Sequence, residues 1–291
     1  MRREYSIIGA CTCWGAQIRT CEKGPEVLIQ SQTFEQMKKE GALIREISVL
    51  YPEEMAAEID IPLPQSLPLI HNFDVRLAQE VQKVVKQGLF PIVLGGDHSI
   101  AVGTWNGFEG PFGLLWIDAH LDAHTEKTTP SGAYHGMPVA SLLGRGLPEM
   151  AHLLKKEPIL LPENLAYIGA RSFEEGELAL LKKLNVKIYY MDEVKKRGLK
   201  AILPEAIAYV TRNTSRYGIS LDLDVFSPEE APGVGSPEKG GISKKEFLPL
   251  LQEIGEDPRL IGFELVEFNP ERDQKRKTEK LAFEILQKVM R

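Results

Sequence analysis

Apolar residues fall along this chain in short continuous runs, separated by longer stretches with helical spacing. Runs at 5–10 (YSIIGA), 43–50, 90–94, 112–117, 165–169, 186–190, 218–223 and 260–266 predict about eight strands. Helices are predicted between them at 25–40, 72–87, 174–184, 199–211, 244–254 and 277–290. The first has Pro25 at its start and Gly41 just past its end, the placement each residue favours. In the second, Phe73, Val75, Leu77, Val81, Val84 and Val85 recur near helical spacing, and Gly88 closes it. The Pro-rich piece 59–68 is expected to be a surface connection.

Short apolar strands alternating with amphipathic helices argue for an α/β fold, a mostly parallel sheet covered on both faces. No internal repeat, low-complexity tract or convincing linker divides the 291 residues, so one domain over 1–291 is expected. Two loops stand out. Residues 225–241 hold four glycines and three prolines, unusual inside a compact domain unless the loop has a function. Residues 269–277 are polar and basic and read as a solvated surface connection.

Composition changes this picture little. A hydrophobic share of 43% and a charged share of 26% are ordinary for a soluble globular protein. The net charge of -6 argues against nucleic acid or an anionic membrane as partner and suits a cationic small molecule. No stretch approaches the roughly 18 apolar residues of a membrane span, and no leader is evident, so a cytoplasmic location is expected. Cys11, Cys13 and Cys21 crowd one loop. Their odd number predicts reduced thiols. A structural zinc site would want four ligands, and no His lies nearby.

The chemistry gathers at strand ends, where parallel sheets collect their ligands. The run 90–94 leads into Asp97 and His98, 112–117 into Asp118, His120 and Asp122, 218–221 into Asp222 and Asp224, and 260–266 into Glu267. One acidic strand end is usually a helix cap or a turn, but four on one sheet edge are poorly explained that way. Asp118, His120 and Asp122 stand at i, i+2 and i+4, and Asp222 and Asp224 at i and i+2, which in extended chain puts their side chains on one side. Unpaired carboxylates sharing a pocket are costly, and divalent cations remove that cost. Two His and four Asp without Cys make an oxygen-rich, hard donor set that suits Mn²⁺. Six ligands are too many for one open site but fit two ions about 3.5–4 Å apart.

Gly95-Gly96-Asp97-His98-Ser99, Asp118-Ala119-His120-Leu121-Asp122, Ser220-Leu221-Asp222-Leu223-Asp224 and Val266-Glu267-Phe268-Asn269-Pro270 together resemble the ureohydrolase (arginase–agmatinase) superfamily. The resemblance runs from Ile7-Ile8-Gly9-Ala10 to the final helix. It implies a three-layer α/β/α sandwich around an eight-stranded parallel sheet. It also implies two Mn²⁺ per subunit, one held by His98, Asp118, Asp122 and Asp222, the other by His120, Asp118, Asp222 and Asp224. A metal-bridging hydroxide would attack a guanidinium carbon to give urea and an amine. By the same resemblance Glu267 holds the guanidinium, Asp122 passes a proton to the leaving amine, and His135 shuttles protons. A homo-oligomer, trimer or hexamer, is implied as well.

Gly24-Pro25, Thr128-Thr129-Pro130-Ser131-Gly132 and Tyr167-Ile168-Gly169-Ala170-Arg171 look like the arginase branch, which implies L-arginine as substrate. Thr129 and Ser131 would face the α-carboxylate, and Glu174 and Glu177 the α-amino group. His124 and Ala133 stand where arginases carry two Asn. Losing an amide donor to a charged group costs about 1.5–3 kcal/mol, so agmatine or another guanidino acid, including a formimidoyl-glutamate type, stays open as substrate. A non-catalytic relative would lack metal ligands, and none is missing.

Overall fold

The computed structural model describes residues 3–39, 41–53 and 62–290. Its strands are β1 (Tyr5–Ala10), β2 (Ile44–Leu50), β3 (Phe90–Gly95), β4 (Gly113–Ile117), β5 (Leu165–Ala170), β6 (Lys187–Tyr190), β7 (Tyr217–Asp222) and β8 (Leu260–Val266). They form one sheet in the order β2-β1-β3-β8-β7-β4-β5-β6. Every neighbouring pair is parallel. The four strands whose ends carry the candidate residues, β3, β8, β7 and β4, are therefore contiguous at the sheet's centre. The chain leaves a gap between β3 and β4 that β7 and β8 later fill. Such a reversal in strand order opens a crevice at the carboxyl edge.

The helices are α1 (Gly24–Ile29), α2 (Gln32–Lys39), α3 (Leu63–Lys86), α4 (Ala101–Asn106), α5 (Pro138–Leu142), α6 (Pro148–Ala151), α7 (Glu175–Lys183), α8 (Met191–Arg197), α9 (Leu199–Thr211), α10 (Lys244–Gly255) and α11 (Lys277–Val289). Strand side chains alternate between the two faces of the sheet. Ile7, Leu115, Ile117, Ile219 and Leu221 pack under α1, α2 and α8 to α11, while Ile8, Leu114, Trp116 and Val266 pack under α3, α4, α5 and α7. That is the three-layer sandwich the resemblance implied. At Gly218 a Cβ would fall 2.1 Å from the Trp105 ring, so glycine there lets α4 seat its indole against β7.

Several local expectations fail for identifiable reasons. The predicted helix 25–40 is two helices, because the Ser31 hydroxyl accepts from the backbone N–H of Phe34 and caps a new start; Glu40 lies outside the described residues. Within the piece read as a Pro-rich connection, Leu63 to Pro68 is already helix, and 59–61 lies outside the described residues. Pro64 sits in the first turn, where a missing N–H costs nothing. The 269–277 segment is not merely solvated. Asn269 is buried, Arg272 donates to the Gly235 carbonyl at 2.5 Å, and Asp273 caps α11 at the N–H groups of Thr278 and Glu279. The thiols are not all reduced either. Folding brings the Cα atoms of Cys13 and Cys21 to 6.0 Å and the pair forms a disulfide, while burial pushes the remaining Cys11 thiol up to about 12.

Candidate metal centre

Three of the four central strand ends turn by the same device. An Asp side chain accepts from the backbone N–H two residues on: Asp97 from Ser99 at 2.8 Å, Asp118 from His120 at 2.7 Å, Asp222 from Asp224 at 2.8 Å. Each turn aims the intervening or following side chain into the crevice. Convergence of the i, i+2 and i+4 residues is thus not strand alternation, as the sequence suggested. Residues 118–120 form bends, Asp224 lies in a 3-10 turn (Leu223–Val225), and Asp122 is left-handed with φ 47. Glu267 is left-handed too, at φ 66. Non-glycine residues hold that region only where surrounding contacts fix them, and such residues cluster at functional sites.

Nδ1 of His98 faces Asp122 Oδ2 at 3.0 Å, Asp118 Oδ2 at 3.2 Å and Asp222 Oδ2 at 3.3 Å, yet makes no hydrogen bond. His120 Nδ1 lies 3.0 Å from Asp224 Oδ2 and 3.6 Å from Asp118 Oδ1. His98, Asp118 and Asp222 form one group able to hold a cation, and Asp118, His120 and Asp224 a second, so Asp118 is common to both. The other face of His98 is fixed. Its Nε2 meets Ser220 Oγ at 2.8 Å, that hydroxyl donates to Glu264 Oε1 at 2.7 Å, and the ring stacks on Trp116 with centroids 4.1 Å apart. Ser220 accepts from Nε2–H, which leaves the Nδ1 lone pair directed at the carboxylates.

Electrostatics agree with this use. Burial, then the charges of Asp224 and Asp118, drive Asp222 well above the usual carboxylate range. Asp118 moves the other way: burial would raise it, but the neighbouring imidazoles of His120 and His98 prevail and hold it low. A buried set of carboxylates that cannot all ionise, gathered around a buried imidazole nitrogen, fits a bound metal cation.

Above these residues opens a cleft of about 140 Å³. It is lined by six carboxylates (Asp122, Glu174, Glu177, Asp222, Asp224, Glu267) and by His98, His120, His124 and His135, and among the described residues no Lys or Arg joins them. Glu267 Oε1 accepts from the His98 N–H at 2.9 Å and meets His135 Nδ1 at 3.1 Å. Burial alone would lower His135, but the hydrogen bond and charge of Glu267 prevail and push it up to about 9. At the outer end, His124 Nε2 sits 3.0 Å from Glu174 Oε2 and 3.4 Å from Glu177 Oε2, and its Nδ1 meets Thr128 Oγ1 at 3.1 Å. The hydrogen bond from His124 draws Glu174 down, whereas burial pushes Glu177 up to about 8.

Of the sequence-predicted residues, His98, His120, Asp122, His124, Ser131, His135, Glu174, Glu177, Asp222, Asp224 and Glu267 line the cleft, with Asp118 buried beneath. Thr129 is not among the lining residues. Its hydroxyl accepts from the Gly132 N–H at 3.0 Å and shapes the turn that presents Ser131. Sequence reasoning passed over Ser236, which reaches the cleft from the 225–241 loop, and Glu264, which backs His98. The signal for Glu264 was present, a charged residue inside the apolar run of β8. Arg171 ends the motif 167–171, which by itself assigns it no role. Its guanidinium donates to the carbonyls of Gly169, Asp224, Val225, Phe226, Glu238 and Lys239, and so pins both ends of the 225–241 loop.

Comparisons with known proteins point one way. The family model "Arginase family" matches residues 3–291. The arginase of Bacillus caldovelox is 36% identical over 290 residues, covering 98% of this chain and 97% of that protein. The crystal structure of arginase from Bacillus subtilis superposes with a TM-score of 0.89 at 34% identity, covering 99% of this chain and 98% of that one. An Entamoeba histolytica arginase, solved in complex with L-ornithine, gives a TM-score of 0.89 at 25% identity over 99% of both chains.

Proposed function

This chain belongs to the arginase family, and from that premise we propose that it hydrolyses L-arginine to L-ornithine and urea with two Mn²⁺ per chain. The observation that carries the proposal is His98 Nδ1, aimed by Ser220 and Glu264 at three carboxylates. His98, Asp118, Asp122 and Asp222 would hold one ion, and His120, Asp118, Asp222 and Asp224 the other. When bound, the pair would supply a water activated for attack at a guanidinium carbon.

The remaining steps belong to the chain. A guanidinium is always charged, so it needs an anionic seat. Glu267 commits Oε1 to His98 and His135, which leaves Oε2 for that task. A Cβ at position 235 would approach Oε2 to 2.7 Å, so Gly235 keeps this oxygen uncovered. Asp122 lies in the cleft floor, where it would hand a proton to the leaving amine. His135, one-quarter exposed and bonded to Glu267, would carry protons between cleft and solvent. Glu174 would anchor the α-amino group, with Glu177 as the capping-box partner that holds the start of α7. Ser131 and His124 would meet the α-carboxylate, with Thr129 supporting Ser131. The family resemblance supports assembly as a trimer or hexamer.

One observation favours a second substrate. Among the described residues no Lys or Arg lines the cleft, and Ala133 offers no side-chain donor, so a guanidino amine without a carboxylate would lose little here. Urea release from L-arginine, agmatine and a panel of guanidino acids by the Mn²⁺-loaded protein decides between them. Fastest release from L-arginine is expected, and release from none of the panel would overturn the proposal.

A further inference from the structure

One covalent feature has no part in the chemistry above. The Cys13–Cys21 disulfide closes a small ring, and both cysteines are buried against Ala16. The ring touches the support of the cleft on several sides. The Gly15 N–H donates to Asp97 Oδ2 at 2.8 Å, and the Gly15 carbonyl accepts from the His135 N–H at 3.2 Å. Gln17 Nε2 lies 3.5 Å from the Ser131 carbonyl, and Asn269 Nδ2 donates to Thr20 Oγ1 at 2.7 Å. A Cβ on Gly15 would stand 2.6 Å from Ser99 Oγ, so the backbone of the ring packs directly against the turn that follows β3. The ring thus bridges the strand end that carries His98 and the loop that carries Ser131 and His135.

We propose that the Cys13–Cys21 disulfide is a positioning element for His135, and that the thiol–disulfide state of this pair sets how well His135 serves the cleft. This rests on the proton-carrying role given to His135 above. With the bond closed, the ring has few conformations and its Gly15 carbonyl stays beneath the His135 N–H. A dithiol would break the S–S bond, deliver two electrons and two protons to the two sulfurs, and leave as its own disulfide. Because both cysteines are buried, exchange waits for opening of the ring, whose exposed side carries Gln17 and Ile18.

The test uses the Mn²⁺-loaded protein purified in air. Alkylation under denaturing conditions, read by intact mass, should find one reactive thiol before dithiothreitol and three after. Reduction, or Cys13→Ser, should lower kcat about three- to tenfold, as a small misplacement of a working group does, and shift the alkaline limb of the pH–rate profile. The KM for arginine should change less. Hydrogen exchange at 131–137 should quicken on reduction, a readout independent of turnover. Cys11→Ser should keep the whole response, and Cys13→Ser should show no further change with dithiothreitol. Three reactive thiols in untreated protein, unchanged exchange at 131–137, or a fall in kcat that merely tracks lost Mn²⁺ would each overturn the proposal. If the untreated protein releases no urea from any guanidino substrate, the function proposed above fails instead; the thiol count and the exchange still judge the ring.

Discussion

Nε2 of His98 lies 2.8 Å from the hydroxyl oxygen of Ser220, and this contact settles what the other ring nitrogen can do. Ser220 passes the line on to Glu264, and both are fully buried. An anionic acceptor behind a metal-binding imidazole fixes its tautomer and raises its basicity. Glu264→Gln keeps the shape and an oxygen that can accept from Ser220, but removes the carboxylate. Its Mn²⁺ affinity should fall about ten- to a hundredfold in a binding isotherm, the usual cost of losing such a partner. An unchanged isotherm would mean that the line does not orient His98.

His135 gives a pH signature. Its folded value of about 9 stands above the ordinary 6.5, so the folded state retains a proton that the unfolded chain releases first. The stabilisation from its contact with Glu267 is complete below about pH 6.5 and is lost as pH rises through about 9. In metal-free protein, the stability gap between wild type and His135→Gln should therefore be widest near pH 6 and close by about pH 10. A gap that is flat or widens across this range contradicts the pairing. Chemical denaturation at a series of pH values measures it.

Arg171 donates to six carbonyls around the 225–241 loop, and charged donors are the costly ones to lose. Arg171→Ala should cost about 2–4 kcal/mol in urea denaturation and quicken hydrogen exchange across the loop. Turnover should drop as well, since Asp224 and Ser236 both belong to what it holds. Arg171→Lys should recover only part, because an ammonium cannot spread its donors as the guanidinium fork does.

The outer cleft makes a prediction about substrate. His124→Asn with Ala133→Asn adds two amides where the cleft has one imidazole and one methyl. If arginine is held there by its carboxylate, KM for arginine should fall about tenfold or more, with kcat nearly unchanged, while agmatine responds little. Equal responses from the two substrates would show that the carboxylate is not read at these positions.

The architecture was legible because β1, β3, β4, β7 and β8 are buried on both faces and read as continuous apolar runs. The candidate ligands were legible because acidic and imidazole groups directly after such runs have few other uses. Less legible was anything decided by a turn or a cap. The break at Ser31 depends on one hydroxyl, and the helical start at Leu63 was hidden by prolines that its first turn tolerates. The convergence of Asp118, His120 and Asp122 was expected from alternation, yet it arises from an Asp-capped turn and a left-handed Asp122. Glu264 and Arg171 act across 44 and 68 residues of sequence, and the Cys13–Cys21 pairing follows from a loop path; no local pattern encodes such partners.

Asp118 is shared by two of the groups able to hold a cation, the one with His98 and the one with His120, so occupancy and activity should be tied at this residue. The most direct test is to titrate metal-free protein with Mn²⁺ while counting bound ions and urea released from L-arginine. Activity is expected to appear only as two ions bind per chain, and Asp118→Asn to lose both the second ion and more than about 99% of turnover. Full urea release in the presence of a chelator, or from Asp118→Asn protein holding fewer ions, would contradict this.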